Sequence, residues 1–344
     1  MPWRRLSLDF HPGSRDNSRM NIRRSPRRTF LKQSLVLTTA AAALGRLGSM
    51  HALAGPALRS LMPVRLGGPV FKAPADPEEL ALAHRQLGYR AAYCPNLSLN
   101  DANRIRAVEK AFAKHDVVIA EVGRWVNLLD SDPEKRRQNL QQVTDGLALA
   151  DAVGARCCVD IAGSFSPTSW FGPHPDNLGA KFFDAAVENA RKIIDAVKPA
   201  RARFCYEMMG WALPDSVQNS LKLLKAIDRK AFGVHLDPCN LINSPERFYG
   251  NTGLLNECFD KLGRWITSCH AKDLAWEVEM NIHFREVVPG KGSLDYATYL
   301  RRLAELPQNP PLMIEHLANA EEYAAAGKYI TAACEKAGIS FGPG

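Results

Sequence analysis

Four polar residues of metal-ligand type end four successive apolar runs in the second half of the chain. They are, in chain order, Glu207, Asp237, His270 and Glu315. Three carboxylates gathered in a partly buried site would repel one another, and a divalent cation removes that repulsion. Oxygen ligands with one imidazole favour Mn²⁺ or Mg²⁺, with Co²⁺, Fe²⁺ or Zn²⁺ possible, because no thiolate set selects a softer ion. The residue types therefore predict one divalent metal ion if the fold brings these run ends together.

The elements that must position these residues are eight apolar runs. The runs cover 64–70, 89–94, 117–122, 157–162, 203–208, 232–237, 265–270 and 312–317. Helical patterns lie between and after them at 77–87, 101–114, 133–153, 180–198, 214–229, 251–263, 293–306 and 319–337. Runs that are apolar on both faces are typical of parallel strands covered by helices.

Eight strand and helix repeats predict a single-domain α/β fold, a (β/α)8 TIM barrel. A doubly wound open sheet is the alternative, but the first turn, "LGGP", lacks the spacing of a dinucleotide site. TIM barrels build their sites at the carboxyl ends of the strands, which would bring the four run ends together. Cys157, Cys158, Cys205 and Cys269 lie inside apolar runs, and we expect buried thiols there rather than disulfides.

The net charge of +8 belongs to the N-terminal segment. Residues 1–54 hold ten Lys or Arg against two acidic residues, which leaves 34 basic and 34 acidic residues in the remainder. A neutral remainder argues against a nucleic-acid partner. This segment resembles a twin-arginine export signal, with Arg27 and Arg28 before a modest apolar stretch and a small-residue cleavage site ending at Ala54.

That resemblance implies a signal peptide over residues 1–54 and a barrel over 55–344, with Met20 as a possible true start. It also implies the twin-arginine translocase as a partner, and a periplasmic or otherwise exported product. The apolar stretch is too short for a membrane-spanning helix, so we expect no stable membrane span in the mature form. An uncleaved anchor or a basic tail is the alternative.

Five stretches carry a resemblance to a known family. They are "FCYEMM", "FGVHLDPCNLI", "ITSCHAKDL", "VVPGKGSLDYATYL" and "PLMIEHL". In this order they resemble the sugar phosphate isomerase/epimerase family of xylose isomerase-like TIM barrels, over residues 64–340. The resemblance implies that the four residues named first bind one divalent metal ion, and that Glu207 and Glu315 also move protons beside a carbonyl. It therefore implies an isomerase or epimerase acting on a sugar or related polyhydroxy carbonyl compound through an enediolate.

Further candidates surround these ligands. Asn240 stands where ketose 3-epimerase-like members carry a histidine, so it can bind a hydroxyl but cannot act as a base. Trp276 stands where those members carry an arginine, and Arg285 is a candidate for that cation. His235 shares the face of Asp237 one layer deeper, either near the substrate or in the core.

Other candidates lie at strand ends and in one long loop. Glu121 ends the third run and could reach the substrate. Lys272 could bind a substrate oxygen with Asp273 orienting it, although a surface position is the default. The loop over 163–179 carries Trp170 as an apolar contact, and it is either a substrate lid or a packed surface loop.

Three other functions fit parts of this pattern. A lyase or dehydratase acting on a keto-glycoside or keto-cyclitol would use the same bases and then expel a β-substituent. An abasic-site endonuclease would need more metal ligands and a basic face. A non-catalytic sugar-binding barrel would not need all four ligands. The carbohydrate substrate is the small-molecule partner predicted in either catalytic sugar reading, and self-association is compatible with the sequence.

Overall fold

The computed structural model describes residues 61–341. The predicted signal segment and the possible start at Met20 lie outside these residues. Within them, eight parallel strands close into a barrel in the order β1-β10-β7-β6-β5-β4-β3-β2, which confirms the predicted TIM barrel. The barrel strands are β1 (Leu66–Gly67), β2 (Ala91–Tyr93), β3 (Val118–Gly123), β4 (Cys157–Asp160), β5 (Arg203–Glu207), β6 (Phe232–Leu236), β7 (Ile266–Ala271) and β10 (Leu312–Ile314).

Helices cover the barrel between the strands. They are α1 (Pro77–Gln86), α2 (Ala102–Lys114), α3 (Pro133–Val153), α4 (Ala180–Val197), α5 (Val217–Ile227), α6 (Pro238–Leu241), α7 (Pro245–Tyr249), α8 (Asn251–Leu262), α9 (Tyr296–Ala304) and α10 (Ala320–Lys336). Short 3-10 turns occupy Pro175–Leu178 and Gly263–Trp265. No helix within residues 61–341 is long and apolar enough to cross a membrane.

Local sequence explains where the helices begin. Asp76 and Asp132 precede a proline and accept backbone N–H bonds in the first turns of α1 and α3, as their sequences predict. The prediction for α9 was wrong by three residues. Ser293 was expected near its start, but Asp295 caps the helix and accepts from Thr298 N.

An antiparallel hairpin interrupts the last part of the barrel and was not predicted. It consists of β8 (Asp273–Glu277) and β9 (His283–Val287), inserted between β7 and α9. The hairpin follows directly after His270 and Lys272, so it extends the carboxyl end of the barrel beside β7. It therefore adds side chains to the face on which the predicted site lies.

The core joins strands to helices in two large clusters of buried side chains. Cys157, Val159 and Cys205, from the adjacent strands β4 and β5, form a smaller buried cluster. The four cysteines predicted to be thiols are free and buried, which confirms that prediction.

Candidate metal centre

The four predicted ligands meet at the carboxyl ends of four neighbouring strands. Glu207 ends β5, Asp237 follows β6, His270 lies in β7, and Glu315 follows β10. Their ligand atoms all lie within 4.8 Å of one another. The structure therefore brings together the residues that the strand ends predicted.

One nitrogen of His270 faces all three carboxylates. His270 Nδ1 lies 2.8 Å from Glu315 Oε1, 3.0 Å from Glu207 Oε1 and 3.5 Å from Asp237 Oδ2. A ring nitrogen carries at most one proton, so it cannot satisfy three carboxylate oxygens at once. A cation among these four groups would satisfy all of them, and three carboxylates with one imidazole are a donor set suited to a hard divalent ion.

Two of the carboxylate oxygens are buried without a hydrogen bond among the described residues. These atoms are Asp237 Oδ2 and Glu315 Oε1. Lys272 Nζ approaches them at 2.9 and 2.7 Å, so they are within ion-pair distance although the angles are not those of a hydrogen bond. The other oxygen of Asp237, Oδ1, accepts backbone N–H bonds at the start of α6. This division leaves Oδ2 available to a metal ion.

Glu121 supports His270 from the barrel interior. Its Oε1 lies 3.2 Å from His270 Nε2, and its Oε2 accepts bonds from His235 Nε2 and Ser268 Oγ, each at 2.9 Å. A carboxylate that accepts from the far nitrogen of a histidine fixes the ring and its tautomer, which leaves the near nitrogen free to ligate a metal. Both oxygens of Glu121 are thus engaged, and these contacts give it the role of orienting His270 instead of the substrate contact predicted from its strand end.

His235 lies beneath the site. It is fully buried, and its ring stands 4.2 Å from that of His270 in an edge-to-face arrangement. Of the two roles that the sequence left open, the geometry excludes direct contact with a substrate, because His270 and Glu121 lie between this ring and the cavity.

Charge and burial act against each other at this site. Burial alone would raise the pKa of Glu121, but the neighbouring His235 and His270 outweigh burial and lower that pKa. Burial would likewise raise the pKa of Glu315, yet His270 and Lys272 lower it to about 2. Burial would lower the pKa of His270, and the surrounding carboxylates, Glu315 and Glu207 first, raise it well above its ordinary value. The carboxylates therefore stay ionised, and binding of a metal at His270 Nδ1 would release a proton.

The Lys272 and Asp273 pair that follows β7 has two separate roles. The surface position expected by default for Lys272 is wrong, because only 3% of this residue is exposed and its ammonium lies among the carboxylates. Its pKa is raised, since Asp237 and Glu315 outweigh the effect of burial.

Asp273 does not orient Lys272, contrary to the prediction. Its carboxylate accepts four backbone N–H bonds of 2.9 to 3.0 Å, from Leu274, Gly290, Gly292 and Leu294. The carboxylate therefore closes the loop that returns from the hairpin to α9.

The remaining predicted residues separate into two groups. Asn240 lines the cavity, where its Nδ2 donates to Met208 O at 3.0 Å and to Glu207 Oε1 at 3.3 Å. Arg285 does not reach the large cavity, since it is largely exposed and pairs with Glu277 at 2.9 Å. Its neighbour Glu286 lines the cavity instead and was missed, because the hairpin that positions it was not predicted.

A cavity of about 670 Å³ opens above the carboxylates. Trp170 lies in its wall, as do Trp125 and Trp211. The loop that carries Trp170 is internally bonded, because buried Asn177 donates to Ser164 Oγ and Gly172 O at 3.1 Å and accepts from Phe165 N at 2.9 Å. This bonding favours a packed loop with a cavity-facing aromatic side over a lid.

The fold and these residues agree with the comparison with protein families. The profile described as xylose isomerase-like TIM barrel matches residues 82–333. The chain belongs to the xylose isomerase-like TIM barrel family. No curated protein sequence gives a significant match.

Solved structures of this fold resemble the chain at low sequence identity. A xylose isomerase-like TIM barrel protein from Mycobacterium smegmatis in complex with magnesium is 18% identical, with 80% of this chain and 97% of that chain covered and a TM-score of 0.57. A 3-keto-D-glucoside 4-epimerase from E. coli is 13% identical, with 78% and 99% covered and a TM-score of 0.56. Endonuclease IV from Thermus thermophilus is 16% identical, with 79% and 99% covered and a TM-score of 0.59. At these identities the likeness shows the fold.

Proposed function

We propose that this protein is a divalent-metal-dependent isomerase or epimerase that acts on a sugar or a related polyhydroxy carbonyl compound. The observation that carries the proposal is the setting of His270, with Glu121 at one nitrogen and three carboxylates at the other. Among proteins of the same fold, one is described as a 3-keto-D-glucoside 4-epimerase and another as a complex with magnesium, which supports a metal-dependent sugar enzyme.

Glu207, Asp237, His270 and Glu315 would hold the ion, with Mn²⁺ or Mg²⁺ the best match to these ligands and Co²⁺, Fe²⁺ or Zn²⁺ also able to bind. When bound, the ion polarises a carbonyl and its adjacent hydroxyl, which lowers the free energy of an enediolate by several kcal/mol.

The two glutamates are placed to exchange protons with the substrate. Glu207 and Glu315 come from β5 and β10, which are separated in the barrel by β7 and β6. They therefore approach the cavity from different sides, as removal and return of a proton at one carbon requires. Lys272 holds Glu315 in its ionised form, and Asn240 presents an amide to a substrate hydroxyl.

A lyase or dehydratase acting on a keto-glycoside or keto-cyclitol is the second candidate. It would use the same proton removal and then lose a β-substituent. The cavity favours this candidate, because about 670 Å³ lies within the range of roughly 300–1,000 Å³ that accommodates drug-sized ligands, and so has room for a leaving group.

The cavity argues against an abasic-site endonuclease. Among the described residues that line it, Lys272 is the only Lys or Arg, and its ammonium is already paired with carboxylates. Binding of a nucleic-acid backbone relies on several cations facing the phosphates. Retention of all four predicted ligands argues in turn against a non-catalytic sugar-binding barrel.

We also propose that the protein is exported through the twin-arginine translocase, on the basis of Arg27 and Arg28 and the apolar stretch that follows them. Cell fractionation of the wild type and of Arg27→Lys/Arg28→Lys tests this. We expect the wild type in the exported fraction and the variant inside the cell, and the same distribution for both would contradict export.

Solvent exchange tests the reaction. The Mn²⁺-loaded protein is incubated in D₂O with a panel of ketoses and keto-glycosides, and products are followed by NMR. We expect deuterium at the carbon beside the carbonyl with no leaving group released, and no exchange by Glu207→Gln or Glu315→Gln. Release of a substituent or an unsaturated product would favour the lyase, and absence of exchange across the panel would contradict the proposal.

A further inference from the structure

Four large aromatic side chains form one sector of the cavity wall, and the proposed chemistry does not use them. They are Trp125, Trp170, Phe171 and Trp211. Each is 39% to 41% exposed although aromatic residues of this size are usually buried. They come from the three loops after β3, β4 and β5, which are neighbours in the barrel. We call them the aromatic wall.

The aromatic wall is fixed in place by contacts outside the cavity. The Phe171 ring stands 5.0 Å from that of Trp170 and 6.4 Å from that of Trp211, and Trp211 Nε1 donates to Phe171 O at 2.5 Å. At the other end Trp125 lies against Gly123, where an added Cβ would stand 2.6 Å from Trp125 Nε1. A rigid aromatic surface binds a flat or chair-shaped ring with little loss of conformational entropy.

Polar residues occupy the opposite sector. In the barrel order β4 stands across from β10, after which come Glu315 and His316. Lys272 and Glu286 belong to this sector as well, since both lie within 3.6 Å of each other beside Glu315. The cavity therefore has one side for an oxygen-rich ring and another side for the apolar face of a ring.

We propose that the aromatic wall is a binding subsite for a second ring, so that the substrate is a glycoside instead of a free monosaccharide. The oxidised or epimerised sugar would lie over the carboxylates, and the ring joined to it would stack on Trp211, Phe171 and Trp170. Stacking requires only a C–H or π face, so the second ring is either a sugar or an aromatic aglycone. This inference rests on the proposed function, because it assumes that the carboxylate end holds the sugar.

Calorimetric titration of the Mn²⁺-loaded full chain tests the subsite. The probes are methyl β-D-glucopyranoside, phenyl β-D-glucopyranoside and methyl β-cellobioside, which share one glucose ring and differ in the second ring. We expect at least one of the two-ring probes to bind roughly three- to tenfold more tightly than the methyl glucoside. A gain for phenyl alone identifies an aromatic aglycone, and a gain for the cellobioside identifies a second sugar.

Variants separate stacking from general damage. Trp170→Ala/Trp211→Ala should abolish the advantage of the second ring while binding of the methyl glucoside stays unchanged, and Trp211→Phe should keep most of that advantage. Tyr249→Ala removes an aromatic ring that is more exposed still but lies outside the cavity, and it should behave as the wild type. Thermal unfolding verifies that each variant is folded.

The two proposals fail in different ways. Equal affinities for all three probes, or an advantage that survives the double variant, would overturn the subsite while leaving the metal site intact. Titrations of the chelator-treated protein test the proposed function separately. If metal removal leaves binding of the methyl glucoside unchanged, the proposed function is contradicted, whereas the ratio between probes still decides the subsite.

Discussion

His270 is held from two directions by carboxylates, and this arrangement determines what the site can bind. Glu121 faces Nε2, and Glu207 and Glu315 face Nδ1. Without Glu121 the ring could turn its protonated nitrogen towards the cavity, and it would then be a poor ligand. The affinity of the site for metal thus depends on a residue that does not touch the ion.

We expect Glu121→Gln to weaken Mn²⁺ binding by about 10- to 100-fold, because the amide presents one acceptor oxygen where the carboxylate presents two. Calorimetric titration with Mn²⁺ measures this. Ser268→Ala is the matched control, since it removes one hydrogen bond to Glu121 Oε2 and leaves His270 in contact with Oε1. Equal affinities in Glu121→Gln and the wild type would show that Glu121 does not orient the ligand.

Lys272 supplies the one ammonium among the carboxylates, and removing it should have opposite effects with and without metal. In Lys272→Met the buried carboxylates lose their cation, so the free energy of unfolding of the metal-free protein should fall by about 3–5 kcal/mol. Added Mn²⁺ should stabilise this variant more than it stabilises the wild type, because the ion replaces the missing charge.

Urea denaturation in chelator and in Mn²⁺ measures both effects. Arg285→Met is the control, since Arg285 forms an exposed pair with Glu277 whose loss should cost at most about 1 kcal/mol. A metal-free Lys272→Met variant as stable as the wild type would contradict this account of Lys272.

Strand periodicity predicted some residues of the site and could have predicted more. Glu207 and His270 follow from the rule that barrel sites lie at strand ends. Lys272 was expected on the surface because it follows the apolar run, yet it stands two residues after His270, and side chains two apart share a face of a strand. That alternation was the signal. No local pattern pairs Glu121 with His270, because the contact joins residues distant in the chain.

Among the elements, the hairpin of β8 and β9 has the largest effect on the site, since it brings Glu286 to the cavity. Its turn, 278–282, reads "VEMNI" and lacks the Asn-Gly or Gly-containing pairs that mark tight hairpins. The sequence therefore gave no turn signal there. Helices with an Asp-Pro start, such as α1 and α3, were predicted to within one residue because the cap is local.

Asp273 ties this hairpin to the barrel, so Asp273→Asn should destabilise the protein by about 2–4 kcal/mol. The amide places two donors where backbone N–H groups also donate, which leaves buried N–H groups unsatisfied. Chemical denaturation measures the change. Asp260→Asn is a suitable control, because Asp260 is exposed and pairs only with Arg302 among the described residues. A change of less than about 1 kcal/mol in Asp273→Asn would contradict the anchoring role.

The whole molecule follows from the eight repeats, which predicted the barrel and the meeting of its strand ends. Charge is distributed unevenly along the chain, with the excess of Lys and Arg confined to residues 1–54. The division of the cavity into polar and aromatic sectors was not predictable, because it depends on which strands stand opposite each other in the closed barrel. Trp125, Trp170 and Trp211 were recognisable as residues after strand ends, but not as one surface.

Metal content tests the central claim most directly. The purified protein is dialysed against Mn²⁺ and then metal-free buffer, and bound metal is measured by mass spectrometry beside Glu207→Gln and Glu315→Gln. We expect about one ion per chain in the wild type and far less in each variant, because each loses a charged oxygen ligand. A wild type without bound metal, or variants that keep a full ion, would contradict a metal centre at these four residues.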